Sequence, residues 1–424
     1  MMRNDQVAID LLFRVVSALA VSIILPVKAY GAGFSLIEQS VSAMGNAYAG
    51  AAASAEDAST VYFNPAGMVY LSQSQLVVGA HAIRPSGHFS DEGSVSALGR
   101  PGTGEGGDLG SLAVLPNLYY SHVLTPDIRL GIALNAPFGL KTEYDKDWIG
   151  RFQAIKSELK TYNINPAVAF RINERLSLGF GVSVMYADAE LTRAVNLVTS
   201  ESTANISGDD WGYGFNLGAI YQPASHTRIG MTYRSRVVQH LEGTVKFGQA
   251  LAANNGKISA NLDLPESWSL SAIHQVNERW DILGDISWTR WSQFNELRIL
   301  NSNGTVLSLT PENWHNTMRY SLGVSYRYNP QWKLRAGVAY DEEAMSERDR
   351  TTRIPGNDRL WLTLGAGWDF SEKDRLDLGY AHLFLRDARI DDNQSSASAG
   401  FNGRITGSYD SDVNIVSVQW TRRF

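Results

Sequence analysis

Large apolar side chains fall on every second position along almost the whole of this chain. In Val416-Ser417-Val418-Gln419-Trp420-Thr421-Arg422-Arg423-Phe424 only Arg422 breaks the parity. In Leu176-Ser177-Leu178-Gly179-Phe180-Gly181-Val182-Ser183-Val184 the even positions are apolar and the odd ones small or polar. Trp332–Tyr340 and Leu360–Trp368 read the same way. A period of two gives a strand one apolar and one polar face. Counted from residue 74 onward, such runs number about fourteen, an even number as bacterial barrels require. Sustained over this length, the pattern describes an all-β fold: a transmembrane antiparallel β-barrel, apolar toward lipid and polar toward its lumen.

Composition agrees with a membrane barrel. Only 44% of the 424 residues are hydrophobic, and after the N-terminus no apolar run reaches the roughly 18 residues of a spanning helix. A barrel escapes such a scan because every second strand residue is polar. The 18 Tyr and 11 Trp suffice for aromatic girdles at two membrane interfaces. There are no cysteines, which excludes disulfides and thiolate metal sites. The formal net charge of -6 gives no basic footprint for nucleic acid, and no cofactor or metal is expected. Residues 1–31 read as a signal peptide. Arg3 and Arg14 precede the apolar stretch Val15–Leu25, and Ala29-Tyr30-Gly31 is a small-x-small cleavage site, so that Ala32 would begin the mature chain.

Residues 32–73 differ from the rest of the mature chain. They are rich in Ala, Ser and Gly and lack sustained alternation. Small residues allow close backbone packing, so this segment reads as a compact plug, followed by the barrel at 74–424. The connectors beyond it alternate between short and long. The short ones carry turn residues, as in Asn173-Glu174, Asn277-Glu278 and Asn329-Pro330. The long ones include stretches near 86–112, 142–159, 197–208, 301–314 and 391–403. Periplasmic turns and extracellular loops alternate in this way. A barrel of this size has a lumen too wide for wall side chains to fill. A plug in that lumen implies a dedicated substrate instead of simple sieving.

Ala32-Gly33-Phe34, Gly45-x-Ala47-Tyr48-x-Gly50, Asp57-Ala58 and Asn64-Pro65-Ala66 succeed one another in order. Gly208-Asp209-Asp210-Trp211-Gly212-Tyr213, Leu264-Pro265-Glu266-x-Trp268, Trp291-Ser292-Gln293-Phe294 and Ile354-Pro355-x-x-Asp358-Arg359 continue the series. The set resembles the long-chain fatty-acid transporter (FadL) family across essentially the whole mature chain. The resemblance implies a monomeric fourteen-stranded barrel with an N-terminal hatch. It also implies hydrophobic substrate captured at extracellular loops, held in an internal pocket, and released sideways through the wall into outer-membrane lipid.

Both the residues and the resemblance point to candidate site residues. In Ala136-Pro137-Phe138-Gly139 of the third strand, proline removes a ladder donor and glycine admits unusual dihedrals. Pro137, Phe138 and Gly139 should therefore break the strand, and the resemblance makes that break the lateral opening. Pro166 in the neighbouring strand would widen the same gap. Arg193 has the parity of lumen-facing Ser177 and Ser183, and an arginine there can hold a carboxylate bidentately. In the family this position contacts the ligand head group. The family's second cationic contact, a lysine, falls at Thr310, with Arg298 or His315 as substitutes. Phe34 matches a family position at the internal pocket. Asn64, Pro65 and Ala66 should fix a turn on the route from pocket to wall. Trp148, Phe152, Ile155 and Leu159 recur at helical spacing behind Asp145 or Asp147 as N-cap, which predicts a helical capture loop with an apolar stripe.

No enzymatic centre is expected. Gly102-x-Gly104-x-x-Gly107 lies in a polar loop with no helix after it, no nucleophile elbow is present, and the 8 histidines are scattered. The leading expectation is passive uptake of long-chain fatty acids. Neutral hydrocarbons, such as monoaromatics, are the alternative that Thr310 keeps open. A surface adhesin or receptor without transport is the alternative of another class, and it predicts a sealed wall at 137–139.

Overall fold

The computed structural model describes residues 33–102, 104–392 and 399–424. The expected signal peptide, its cleavage site, Ala32 and part of the 391–403 loop lie outside the described residues. Among the described residues, fourteen strands close into one antiparallel barrel. Eight are unbroken: β1 Gln75–Asp91, β2 Ala113–Val123, β4 Lys156–Arg171, β5 Leu176–Asn196, β6 Glu201–Ala224, β11 Trp332–Asp341, β12 Arg359–Asp369 and β14 Ile405–Arg423. Six run in two pieces: β3 (Ile128–Asn135, Gly139–Glu143), β7 (Thr227–Arg234, Val237–Phe247), β8 (Gly256–Leu264, Ser267–Gln275), β9 (Trp280–Thr289, Glu296–Asn301), β10 (Val306–Pro311, Thr317–Arg327) and β13 (Asp374–Leu385, Ala388–Asp392). Each strand pairs with the next, and β14 returns to β1 in a register from Gln75↔Arg423 to Asp91↔Gly407. Closure leaves no sheet edge in the membrane.

The alternation has its expected direction. On β5, Leu178, Phe180 and Val182 are exposed on the outer face, while Ser177, Ser183 and Met185 are buried. Aromatic rings band the outer wall at two levels. Tyr186 lies 5.2 Å from Trp211, and Tyr233 lies 4.6 Å from Trp268, at the upper edge. At the lower edge Trp332 stacks on Trp368 at 5.6 Å and Trp280 sits 4.5 Å from Tyr326. Amphipathic rings favour such interfaces. Arg422, the one break in the last strand's parity, sits at the lower end and bonds Asp374 at 3.1 Å. Its stem lies along the apolar face while its charge reaches a partner.

Short connectors gather at the lower end. The side-chain oxygens of Asn173, Asn277 and Asn329 each accept two backbone N–H groups, at 2.8–3.0 Å. Such side-chain turns substitute for backbone ones. Two of the expected long loops are not loops. Residues 201–208 belong to β6, and the 301–314 region is mostly a hairpin between the upper pieces of β9 and β10. Strands here continue beyond the apolar belt, where β-pairing is satisfied as well as it is below.

The segment from 33 to 74 fills the lumen. It forms three single-turn α-helices, Val41–Met44, Ala51–Ser54 and Thr60–Phe63, and a 3₁₀ helix, Pro65–Tyr70. Wall glycines make room for it. A Cβ on Gly337 would lie 2.2 Å from the carbonyl carbon of Asn46, and one on Gly230 would lie 1.9 Å from the oxygen of Ala52. Below, Glu56 meets Lys333 at 3.1 Å, Arg375 at 3.3 Å, and Arg335, which in turn holds Asp377 at 2.9 Å.

Candidate functional site

The third strand breaks where proline and glycine predict it. β2 and β3 pair from Val123↔Arg129 to Leu118↔Leu134 and no further. Above that point Ala113–Asn117 pairs only with β1, and Gly139–Glu143 only with β4. The segment between the two pieces of β3 bonds the hatch instead. Leu36 N donates to Pro137 O at 2.8 Å, Gly139 N to Phe34 O at 3.0 Å, and Gln39 Nε2 to Ala136 O at 2.9 Å. On the other side of the gap, Asn117 Nδ2 donates to Glu38 O at 3.0 Å and Tyr119 Oη to Gln39 O at 2.7 Å. Hatch residues 36–39 thus run across an unpaired stretch of wall between β2 and β3. Pro166 does not enlarge this gap. It stands opposite Ile132, below the break, and interrupts the ladder toward β5.

Phe34 is 3% exposed and sits in an aromatic cage. Its ring centroid lies 4.7 Å from Trp291, 5.6 Å from Trp314, 5.7 Å from Phe294 and 6.2 Å from Phe138. Gly33 makes this possible. Its φ is +57°, and a Cβ would stand 2.7 Å from Trp314 and 2.8 Å from Trp291. On one side of Phe34 lies an apolar cavity. Leu140, Leu159, Leu241, Ile258, Leu262 and Ile299 supply much of its wall. On the other side lies a central cavity, bounded by Ser35, Phe138 and Trp291 and by the polar inner faces of β7–β12.

The apolar cavity has two ionisable lining groups besides Glu158: Arg353 and Glu312. Arg353 comes from the β11–β12 loop and donates to Ser157 Oγ at 2.9 Å, Gln153 O at 2.8 Å and Lys156 O at 3.3 Å. Burial, then the nearby charge of Arg193, pushes its pKa down to about 10, so it stays cationic at neutral pH. Glu312 lies above the apolar belt, between the two pieces of β10, and accepts from Trp314 Nε1 at 3.0 Å. Burial pushes its carboxyl up to about 8, with the Trp314 bond and Arg353 opposing and Asp392 and Asp349 reinforcing. It is therefore mostly neutral at pH 7.

Several expected residues stand elsewhere. Arg193 is half-buried beside Arg353 but does not line the cavity. Arg298 is a correction: it faces outward, exposed, and pairs with Glu296 at 2.6 Å. The strand keeps its phase across the excursion at 290–295, which includes the 3₁₀ turn Trp291–Gln293: odd positions face inward below it, at Asp281, Leu283 and Asp285, and again above it. Leu297 and Ile299 take the inward positions instead. Thr310 is buried opposite Leu297 but supplies no cation and does not line the cavity. Asn64 does fix a turn, since its oxygen caps the 3₁₀ helix through Ala66 N at 3.1 Å. It and Pro65 and Ala66 are clamped to the wall, however, with Asn64 Nδ2 donating to Ala219 O at 3.1 Å. They line neither cavity.

The capture loop is also corrected. Residues 145–153 form turns, not a helix. With Gly150 at its centre, this stretch is too short to hold one. Trp148 stacks on Tyr144 at 3.8 Å and is fully buried against the rims of β1, β13 and β14. Phe152 and Ile155 pack with Ala97 and Ala194. Leu159 belongs to β4 and the apolar cavity. No single apolar stripe results.

Sequence reasoning missed Arg353, Glu312, Trp314 and the cavity wall from β7 and β8. Arg353 directly precedes the Ile354-Pro355 motif, which was a usable signal for it.

Comparisons with known proteins fit this architecture. The chain is 30% identical over 431 residues to a long-chain fatty acid transport protein of Escherichia coli O6:H1, covering 91% of this chain and 94% of that one. A crystal structure of a Pseudomonas aeruginosa FadL homologue superposes with a TM-score of 0.87 at 23% identity, covering 93% of this chain and all of that one. The Pseudomonas putida toluene transporter TodX superposes with a TM-score of 0.66 at 20% identity, covering 87% and 94%. Residues 22–424 match the outer membrane protein transport protein (OMPP1/FadL/TodX) family. With that match and the closed barrel, the chain belongs to this family of outer-membrane channels for hydrophobic compounds.

Proposed function

We propose that this barrel takes up long-chain fatty acids and releases them sideways into the outer membrane. The observation that carries this reading is an apolar cavity with one arginine on its wall, divided from an unpaired stretch of barrel wall by the Phe34 cage. The hydrocarbon chain would occupy the cavity, with its carboxylate toward Arg353. Each buried methylene contributes about 0.8 kcal/mol, so a long chain gains roughly 10 kcal/mol before ordering costs. A charge-assisted hydrogen bond adds only about 1.5–3 kcal/mol. Chain burial sets affinity, and the arginine sets orientation. Displacement of Phe34 would then let the ligand pass to the β2–β3 gap, where leaving sideways spares it the aqueous periplasm. The catalytic machinery of an enzyme has no part in this reading, and an unpaired wall does not suit a sealed receptor barrel.

A neutral hydrocarbon is the second reading. Arg353 already donates to three protein oxygens, and Thr310 brings no charge. The test is uptake of labelled oleate and labelled toluene by cells lacking their own transporter, with wild type, Arg353→Met or Arg193→Ala expressed. Oleate uptake that falls about tenfold in Arg353→Met supports the fatty-acid reading. Toluene uptake without oleate uptake, by a folded surface-exposed barrel, overturns it in favour of neutral cargo.

A further inference from the structure

The central cavity beneath Phe34 is built differently from the apolar one. Arg319 of β10 and Arg359 of β12 both line it. Arg319 is 6% exposed, and its Nη2 donates to Ala47 O at 3.0 Å. Its Nε and Nη1 are buried and have no hydrogen-bond partner among the described residues. Arg359 donates Nη2 to Gly33 O at 3.3 Å, and its Nε is likewise without a partner. Buried guanidinium N–H groups are costly to leave unmet.

The cavity's own acids do not meet them. Asp285 is held by Ser269 at 2.6 Å, Ser287 at 2.5 Å, and Ser271. Glu38 and Asp341 feel both arginines electrostatically, yet neither forms an ion pair with them among the described residues. Burial pushes the Glu38 carboxyl upward, which reduces the negative charge on that side.

We propose that Arg319 and Arg359 form a second station for a fatty-acid carboxylate, between the apolar cavity and the β2–β3 gap. This rests on the fatty-acid reading above and goes beyond it, placing a polar binding site in the path itself. The planar donor fork of arginine suits a carboxylate, and Phe138 borders both this cavity and the wall break. Arg359 is also bonded to the carbonyl next to Phe34, so a carboxylate arriving there competes for the group that holds the Phe34 cage shut. A ligand reaching this station thereby favours the open passage behind it.

The experiment compares oleate with oleyl alcohol, which has the same chain and no charge. The protein is used whole, as wild type, Arg319→Met, Arg359→Met, and Arg319→Lys as a variant that keeps the charge. Equilibrium binding in detergent reads the apolar cavity, and uptake into proteoliposomes reads the whole path. Retention of folded barrel is verified by heat-modifiable migration on gels. The expected result is a ratio of oleate uptake to oleyl alcohol uptake about tenfold lower in both Met variants, whatever the loss of the Arg359–Gly33 bond does to the passage of both ligands, and partial recovery of that ratio in Arg319→Lys. Equal losses for acid and alcohol mean that the arginines only hold the hatch, and overturn the proposal. No change for either ligand means that water alone meets these N–H groups, and overturns it as well. Absence of oleate binding and uptake in the wild type would instead sink the fatty-acid reading itself.

Discussion

Gly33 and Phe34 show how much one residue decides here. Phe34 closes the way between two cavities only because Gly33 turns at positive φ in a space where no Cβ fits. Phe34→Ala should therefore speed passage of hydrophobic cargo into liposomes severalfold while weakening its equilibrium retention. Unchanged rates would remove Phe34 from the path. Glu312 gives a pH prediction. Its folded pKa of about 8 lies above the ordinary carboxylate value, so the protonated form favours the fold. That contribution is full below about pH 4.5 and is lost as pH rises through about 8. Thermal unfolding in detergent should show stability falling across this window, and Glu312→Gln should flatten the slope. Sequence could locate Phe34 through family likeness. Arg353 was within reach only through the Ile354-Pro355 motif that follows it, and Glu312 was not, because neither lies in a periodic stretch that would give its side chain a direction.

At the scale of elements, the informative ones are the strands that stop. β3 breaks at Ala136–Phe138, and proline with glycine made that legible. β7, β8, β9 and β10 also break, at 235–236, 265–266, 290–295 and 312–316. Pro265 and Pro311 announce two of these. The others arise because the strands turn inward to deliver Val237, Trp291 and Phe294 to the core around Phe34, a tertiary demand without a local signal. Arg298 shares the outward parity of Ile282 and Ile286, so the alternation of its own strand, counted through the interruption, already places it outside. The lower turns were legible because an asparagine side chain carries its own hydrogen-bond geometry. The double variant Pro137→Val, Gly139→Val restores a ladder donor and β-propensity to β3. It should reduce oleate uptake at least severalfold while binding in the apolar cavity persists; undiminished uptake would separate the break from release.

At the scale of the whole molecule, ring and hatch are one structure. Glu56 faces three wall cations, and removing a buried partner typically costs about 3–5 kcal/mol. Glu56→Gln should lower thermal stability by roughly that order, discounted for its partial exposure, and raise ion conductance through the barrel in planar bilayers. The seam between β1 and β14 has a further consequence. The last strand also grips the hatch: Gln419 accepts from Val41 N at 3.0 Å and donates to Asp57 at 2.8 Å. Gly365, Gly337 and Gly230 leave the hatch no more clearance than a missing methyl group. A body that fits so tightly, joined covalently to the first strand and by hydrogen bonds to the last, cannot be threaded into a finished cylinder. It has to be the mandrel around which the cylinder is wrapped, so assembly of this protein is complete only when the strand that seals the ring also takes hold of its contents.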